Sequence, residues 1–118
     1  MITIMNGVKL MKRVILESPY KGKNKHDGFK NIYYARECMR DCLSRGESPM
    51  VSYLLYTQVL DDNIPEQRKL GMEAGQSWYE VADYCVVYTD FGISEGMIEG
   101  IKKAKACGLN IVKRKLYE

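Results

Sequence analysis

Histidine is nearly absent from this chain of 118 residues, since His26 is the one example. Any mechanism that needs two histidines within one chain is therefore excluded. The four cysteines, Cys38, Cys42, Cys85 and Cys107, include no Cys-x-x-Cys pair of the kind found in zinc and thioredoxin-like redox sites. We interpret them as reduced thiols that serve as small apolar residues, and we predict neither a metal nor another cofactor.

The sequence also lacks a long apolar run and a strong net charge. No run reaches the roughly 18 apolar residues that cross a membrane, and the N-terminus has no signal-peptide pattern. We therefore expect a cytoplasmic protein without a membrane partner. The net charge of +3 comes from 18 basic and 15 acidic residues that are scattered along the chain. Nucleic-acid-binding modules usually concentrate Lys and Arg on one face, so we rank that function last.

The length of 118 residues and the hydrophobic fraction of 46% are those of one globular domain. Residues 1–10 show no clear period, and we predict an extension there that could add an edge strand. Residues 11–118 would form the domain. A chain of this size has little room for a deep pocket, so we expect a homo-oligomer in which a second subunit helps to close the site.

Strand and helix patterns alternate along the chain. Apolar runs bounded by turn residues predict strands at 13–17, 49–55, 83–89 and 110–112. Apolar residues at spacings of three and four predict helices over about 29–44, 65–81 and 97–107. This order indicates an α/β fold, namely a three-layer sandwich with a mostly parallel sheet of the flavodoxin-like or Rossmann-like type.

Capping residues predict where the helices begin and end. Asp27 is the expected N-cap of the first helix, and Gly46 follows its expected end. Asp62 or Asn63 is the expected N-cap of the second helix, with Pro65 in the first turn. The apolar residues that we expect this helix to bury are Leu70, Met72, Ala74 and Trp78.

Ligands of open parallel sheets bind beyond the carboxyl ends of the strands. Three segments follow such ends here, around Ser18, Tyr56 and Asp90, and we expect them to converge on one crevice. The candidate ligand-binding residues are Ser18, Tyr20, Lys21, Gly22, Tyr56, Asp90, Gly92, Ser94, Gly96 and Met97.

The segment after the third strand leads directly into a helix. Backbone N–H groups at that helix start, together with the Ser94 hydroxyl, suit a phosphate or a sugar hydroxyl. Alternatively, Gly92 and Gly96 only permit the turn, and Ser94 is an ordinary N-cap.

Carboxylates lie near the same strand end. Asp90 with Glu95 or Glu99 forms a group that resembles the nucleophile and acid pairs of glycosidic chemistry. Alternatively, the two glutamates only complement the positive end of the helix dipole.

Two further polar clusters are open to two interpretations. The basic residues Lys21, Lys23, Lys25 and His26 form either a solvated loop or a lid over an anionic ligand. The polar segment 61–63 with Arg68 either caps a helix or contacts a ligand.

Several short motifs occur in a specific order between residues 12 and 114. They are Ser18-Pro19-Tyr20-x-Gly22, Asn31 with Ala35-Arg36, Leu60-Asp61-Asp62-Asn63-x-Pro65-Glu66-x-Arg68, Gly71-Met72, the strand from Asp83, Ile93-Ser94-Glu95-Gly96-Met97, Ala104 and Gly108. Together they resemble the small nucleoside 2-deoxyribosyltransferase-like proteins of phages and bacteria, many of which have no known function. The resemblance implies a Rossmann-like sandwich that often forms dimers or larger oligomers, with a pocket for a nucleoside or nucleotide.

The resemblance also implies roles for single residues. In active transferases of this superfamily, a glutamate at the start of the last long helix attacks the anomeric carbon and an aspartate near the preceding strand end assists the base. Asp90 matches that aspartate, and Ser94 and Gly96 match the loop that holds sugar or phosphate. The nucleophile position falls on Gly100. The adjacent Glu99 would point away from the pocket, because one residue turns a helical side chain by about 100°. A shift of the helix start by one residue would turn Glu99 back toward the pocket.

Two functions follow from this resemblance. A retained pocket without the attacking carboxylate favours a protein that binds a nucleoside, a nucleotide or a nucleotide-derived signalling molecule. In a phage, such a protein could sequester a host immune messenger as an anti-defence device. The alternative is an enzyme that cleaves or transfers an N-glycosidic bond, with Glu99 or Glu95 as nucleophile and Asp90 assisting.

Overall fold

The computed structural model describes residues 3–117. Its strands are β1 (Thr3–Met5), β2 (Val8–Leu10), β3 (Lys12–Glu17), β4 (Glu47–Met50), β5 (Tyr84–Tyr88) and β6 (Ile111–Arg114). Its α-helices are α1 (Lys25–Ser44), α2 (Ser52–Leu55), α3 (Pro65–Gln76) and α4 (Glu95–Ala106). Short 3-10 helices occupy Tyr56–Gln58 and Tyr79–Val81.

The central sheet has the strand order β4-β3-β5-β6, and all of its neighbouring strands are parallel. Ile15 is level with Met50 on one side and with Cys85 on the other, and Val86 is level with Val112. The predicted α/β architecture is therefore confirmed. Since β3 and β5 are the inner strands, the segments that follow them meet at the same edge of the sheet.

Alternate residues of the inner strands build two cores. Val14 and Leu16 pack toward Tyr34 and Cys38 of α1. Ile15, Cys85 and Val87 face the opposite way and pack against Met97, Ala104 and Tyr79. The two-residue period of a strand thus produces helices on both faces of the sheet, as in a three-layer sandwich.

Residues 3–10 form a hairpin and not an edge strand of the central sheet. β1 pairs antiparallel with β2, in a separate two-stranded sheet. The turn residues Asn6 and Gly7 have φ angles of 50° and 78°. Positive φ at both positions is typical of the tight turn that Asn-Gly favours. Met1 and Ile2, the first two residues of the predicted extension, lie outside the described residues.

The prediction of one strand over 49–55 is wrong beyond Met50. Only Glu47–Met50 pairs with β3, and Pro49 fits this edge strand because its missing N–H removes no inner hydrogen bond. The carbonyl of Val51 then accepts hydrogen bonds from the N–H groups of Leu54 and Leu55, each at 3.1 Å. The chain therefore turns into α2, which carries Tyr53 toward the carboxyl edge of the sheet.

The first helix begins earlier than predicted. Asn24 is its N-cap and accepts a hydrogen bond from the N–H of Asp27 at 2.9 Å, so the prediction that Asp27 is the cap is wrong. Gly46, with φ 78°, follows the helix end as predicted. This left-handed conformation favours glycine and stops the helix.

The helix predicted over 65–81 corresponds to α3 and differs more from its prediction. Pro65 starts it as expected, but Ile64 occupies the N-cap position, and neither Asp62 nor Asn63 caps it. It ends at Gln76 and not near Val81. Leu70, Met72 and Trp78 are 56%, 39% and 44% exposed, so the prediction that they are buried is wrong.

A buried ion pair links the two edge strands beneath α1. Arg114 of β6 donates to both carboxylate oxygens of Glu47 of β4, at 2.7 and 2.5 Å, and Tyr84 also donates to Glu47. Burial alone would raise the pKa of Glu47, but the hydrogen bonds from Arg114 and Tyr84 outweigh it and hold this pKa below its ordinary value. The pair therefore stays ionised and fixes the outer strands relative to each other.

Candidate functional site

A crevice of about 650 Å³ opens at the carboxyl edge of the sheet. All three predicted segments contribute to it: the end of β3 with its loop, the α2 region, and the start of α4. The described residues that line it are Glu17, Ser18, Tyr20, Lys21, Ser52, Tyr53, Tyr56, Thr57, Leu60, Asp62, Arg68, Gly71, Met72, Ser94, Glu95, Gly96, Met97 and Glu99.

An aromatic wall forms one side of this crevice. The rings of Tyr20 and Tyr53 lie 5.6 Å apart and are inclined at 59°. The hydroxyl groups of Tyr53 and Ser18 are hydrogen-bonded at 2.5 Å. Burial raises the pKa of Tyr53 well above its ordinary value, so this hydroxyl stays protonated. The Ser18 contact joins the wall to the end of β3 and fixes the position of the ring.

Close packing of α2 on α3 positions the next tyrosine. A Cβ at Gly75 would lie 2.7 Å from the Ser52 side chain, so only glycine lets the two helices approach this closely. Trp78 then donates through its indole N–H to the Tyr56 hydroxyl, at 2.9 Å. Tyr56 is thereby held at the crevice from the α3 side.

The start of α4 also lines the crevice. Ser94 is the N-cap, and its Oγ accepts a hydrogen bond from the N–H of Met97 at 3.3 Å. Met97 is 1% exposed and anchors the first turn in the core below α4. Backbone N–H groups in the first turn of a helix have no intrahelical partner. Ser94 thus caps the helix and also lines the crevice.

Glu17, the last residue of β3, is the buried carboxyl of this crevice. The residue is 9% exposed, its carboxyl group borders the crevice, and none of the residues 3–117 donates a hydrogen bond to it or pairs with it. Burial therefore raises the pKa of Glu17 to about 8. From the sequence, Glu17 was expected only as the end of a buried strand. A charged residue that ends an otherwise apolar run was the available signal.

Gly100 of α4 faces this carboxyl group. A Cβ on Gly100 would lie 2.6 Å from Cδ of Glu17 and closer still to its Oε2. Any other residue at position 100 would displace the Glu17 side chain. The two positions therefore share one small volume, which the carboxyl group occupies.

Asp90 lies outside the lining of the crevice. Its carboxylate accepts hydrogen bonds from Tyr34 Oη at 2.5 Å and from the N–H groups of Leu116 and Tyr117 at 2.9 Å each. Burial alone would raise the pKa of Asp90, but these hydrogen bonds hold it below its ordinary value. This geometry makes Asp90 the anchor of the C-terminal segment on α1.

Two of the candidate glycines also lie outside the lining. A Cβ at Gly22 would lie 2.8 Å from the carbonyl carbon of Asp27, so Gly22 lets the first loop pass close to α1. Gly92 has a φ of 82°, which the turn after β5 requires. Both glycines shape the loops beside the crevice.

The first loop contributes one basic side chain to the crevice. Lys21 lines it, whereas Lys23, Lys25 and His26 are exposed elsewhere, and the last two begin α1. Arg68 of α3 is the other lining cation. Asp62, Glu95 and Glu99 are carboxylates on the same surface. The described lining is therefore not strongly cationic.

A second, more open recess of about 560 Å³ adjoins the crevice. Tyr20, Lys21, Thr57, Leu60 and Asp62 line both. The residues that line only the recess are Gln58, Val59, Asp61, Asn63 and Gln67. Gln67 Oε1 accepts a hydrogen bond from the N–H of Asp61 at 2.7 Å. The polar segment before α3 is thus held by a hydrogen bond to α3 and lines the recess beside the crevice.

The described residues contain no group of three or more side chains that could hold a metal ion. Cys38, Cys42 and Cys85 are buried, and Cys107 is exposed. Burial raises the pKa of Cys85 to about 12, with a further contribution from the charge of Glu17. None of the described helices is long and apolar enough to cross a membrane.

Residues 12–114 match a family described as a domain of unknown function, DUF7768. The chain belongs to this family. No curated protein matches it. The match leaves the β1–β2 hairpin outside and includes every residue of the crevice.

The fold of this DUF7768 domain is similar to that of the 2-deoxyribosyltransferase from the psychrotolerant bacterium Bacillus psychrosaccharolyticus. The TM-score is 0.63 at 14% sequence identity, over 87% of this chain and 72% of the transferase. The transferase is described as a biocatalyst for nucleoside synthesis. The expected resemblance is thus confirmed for the fold.

Within the DUF7768 domain, the two positions that the resemblance singled out lie side by side. Both orientations of Glu99 were left open by the sequence, and Glu99 is exposed and lines the crevice. Gly100 lies one residue further and faces Glu17. The crevice therefore contains Glu17 and Glu99 from different elements, one buried and one exposed.

Proposed function

We propose that this protein binds a nucleoside or nucleotide in the crevice at the carboxyl edge of its sheet. The observation that carries the proposal is that the aromatic wall of Tyr20 and Tyr53, together with Tyr56, lines the same crevice as the first turn of α4. Aromatic rings stack on nucleobases, and N–H groups at a helix start suit sugar hydroxyls or a phosphate. The similarity in fold to a deoxyribosyltransferase supports the same ligand class.

The size of the crevice agrees with this ligand class. A volume of about 650 Å³ lies within the roughly 300–1,000 Å³ that is usual for small-molecule sites. The adjoining recess can hold a substituent that extends past Tyr20 and Lys21.

The charges of the lining argue against a highly charged ligand. Lys21 and Arg68 are opposed by Asp62, Glu95 and Glu99, so a polyphosphate would meet about as much repulsion as attraction. A neutral nucleoside or a monophosphate fits this balance better.

The test is a calorimetric titration with 2′-deoxynucleosides and their 5′-monophosphates. We expect saturable binding that Tyr56→Ala weakens at least tenfold, because the variant removes the stacking face. Tyr33→Ala is the matched control, since Tyr33 is 65% exposed on α1 and lies outside the lining. Equal affinity of both variants, or no binding to the unmodified protein, contradicts the proposal.

A more specific form of the proposal is that the protein binds its ligand without changing it chemically. Such a protein could sequester a nucleotide-derived messenger. Its support is that Ser18, Tyr20, Ser94 and Gly96 line a formed crevice while position 100 carries no side chain. Stoichiometric recovery of intact ligand after denaturation is the expected result.

A second candidate function is cleavage or transfer of an N-glycosidic bond. The observation that favours it is the presence of Glu17 and Glu99 in one crevice, since paired carboxyls can supply an acid and a nucleophile. Chromatography of nucleosides after incubation tests it. Release of free base that Glu99→Gln or Glu17→Gln abolishes supports cleavage and contradicts capture alone.

We also propose that a second copy of the chain adds a wall to the crevice. Large apolar side chains of α2, α3 and the segments beside them are exposed to solvent, namely Leu55, Ile64, Leu70, Met72, Trp78 and Val81. Met72 also lines the crevice, so a subunit that covers it would reach the ligand. Burial of such a surface is the usual driving force for association.

A further inference from the structure

The proposed aromatic and helix-start contacts do not explain Glu17, the buried carboxyl residue of the crevice. It ends β3, is 9% exposed, and lines the crevice. Within residues 3–117, no donor or cation compensates its carboxyl group, which borders the crevice. A buried carboxyl without a partner is costly when ionised, and it usually takes up a proton instead.

The groups around Glu17 also favour the protonated form of its carboxyl group. Tyr53 of α2, Tyr79 of the second 3-10 helix and Cys85 of β5 are near enough to feel its charge, and none of them is cationic. The charged side chains elsewhere on the lining are Lys21, Asp62, Arg68, Glu95 and Glu99. Burial raises the pKa of Glu17 to about 8, so the carboxyl is mostly neutral at neutral pH.

The position of the carboxyl group is also fixed. Gly100 leaves just the space that the carboxyl occupies, because a Cβ there would lie 2.6 Å from Cδ of Glu17. The strand holds the other end of the side chain, since Glu17 is paired in register with Val87 of β5. A neutral carboxyl that is held in this way presents an O–H donor to the crevice.

We propose that Glu17, in its protonated form, donates a hydrogen bond to an acceptor of the bound nucleoside and so selects ligands that carry a carbonyl or ring-nitrogen acceptor at that point. This inference rests on the proposed nucleoside binding and adds the residue that sets specificity. A ligand without the acceptor would leave the donor unpaired in a buried site, which lowers its affinity.

The proposal predicts a specific response to pH and to side-chain chemistry. Titrations use 2′-deoxyadenosine and 2′-deoxycytidine, whose bases do not titrate between about pH 6.5 and about pH 9. We expect affinity for the unmodified protein to fall about tenfold over this interval, because ionisation removes the donor. Glu17→Gln keeps a donor in the same place and should bind equally at both pH values. Glu17→Leu should bind at least tenfold more weakly at both.

The controls separate this inference from the proposed function. Glu80→Gln makes the same change at an exposed residue outside the crevice and should behave as the unmodified protein. Circular dichroism and thermal unfolding show whether Glu17→Leu folds, while the pH titration of the unmodified protein needs no variant. Affinity that Glu17→Leu leaves intact, or that rises with pH and is lost in Glu17→Gln, overturns the inference alone. No binding of either probe to the unmodified protein overturns the proposed function, and the inference with it.

Discussion

At the scale of single residues, one position illustrates how function and stability oppose each other. A neutral isostere such as Gln would keep the packing of Glu17 and remove a charge that none of the described groups compensates. Such a carboxyl group lowers the free energy of unfolding whenever it is forced to ionise. Its cost to the free protein is understandable if its partner is a ligand.

The stability of the protein should therefore depend on pH through Glu17. Its pKa in the folded protein, about 8, lies above the ordinary value of 4.5. Between these values the folded protein holds a proton that the unfolded chain releases, so stability falls as pH rises, by up to roughly 1 kcal/mol per pH unit. We expect Glu17→Gln to be more stable than the unmodified protein near pH 8 and similar to it near pH 5.

Urea unfolding at several pH values measures this difference directly. Glu80→Gln is the control and should follow the unmodified protein throughout. If the stability of Glu17→Gln and of the unmodified protein changed with pH in the same way, the raised pKa of Glu17 would be contradicted.

At the scale of elements, the Glu47–Arg114 ion pair is a buried contact between the two edge strands. The two side chains are 4% and 11% exposed. Loss of one partner leaves the other charge buried, which typically costs about 3–5 kcal/mol. We expect Arg114→Met to cost this much in the free energy of unfolding, and Arg114→Met with Glu47→Leu to recover a large part of it.

The exposed pair Lys69–Glu73 of α3 provides the matched control. Its side chains are 79% and 60% exposed, so Lys69→Met should cost less than about 1 kcal/mol. Equal losses for Lys69→Met and Arg114→Met in chemical denaturation would contradict the account of the buried pair.

Patterning along the chain predicts the elements that alternate regularly. Val14 to Leu16 and Cys85 to Val87 are apolar on both faces, as buried parallel strands require, and the strand–helix alternation then implies the sheet. The run 51–55 is apolar too, but pairing with β3 ends at Met50, and nothing local to the sequence sets that limit. Short apolar runs fit a helix as well as a strand.

The candidate site is predictable to the extent that strand ends mark it. Ser18, Tyr20, Tyr56 and Ser94 were expected near one crevice and line it. Glu17 was not expected, because its meaning depends on Gly100, which is 83 residues away in the sequence. Such a contact between a strand and a distant helix leaves no local pattern.

At the scale of the whole molecule, the exposed apolar side chains in and beside α3 predict self-association. Leu70 and Met72 were expected in the core of the chain but are exposed. We expect the protein to sediment as a dimer or larger assembly, and Leu70→Lys to shift it toward monomer because a charge would be buried in the interface.

Leu43→Lys controls for the added charge, since Leu43 of α1 is 54% exposed and Leu70 is 56% exposed. Analytical ultracentrifugation at several concentrations provides the measurement. A monomeric unmodified protein, or equal effects of the two substitutions, would contradict an interface at α3.

The central claim is that the crevice at the carboxyl edge of the sheet takes a nucleoside. Amide chemical shifts of the isotope-labelled protein, recorded during titration with 2′-deoxyadenosine and its 5′-monophosphate, test this claim most directly. We predict saturable shifts at Ser18, Tyr20 and Gly96, with none at the hairpin turn Asn6–Gly7. Shifts that are absent, or that cluster away from the crevice, would contradict it.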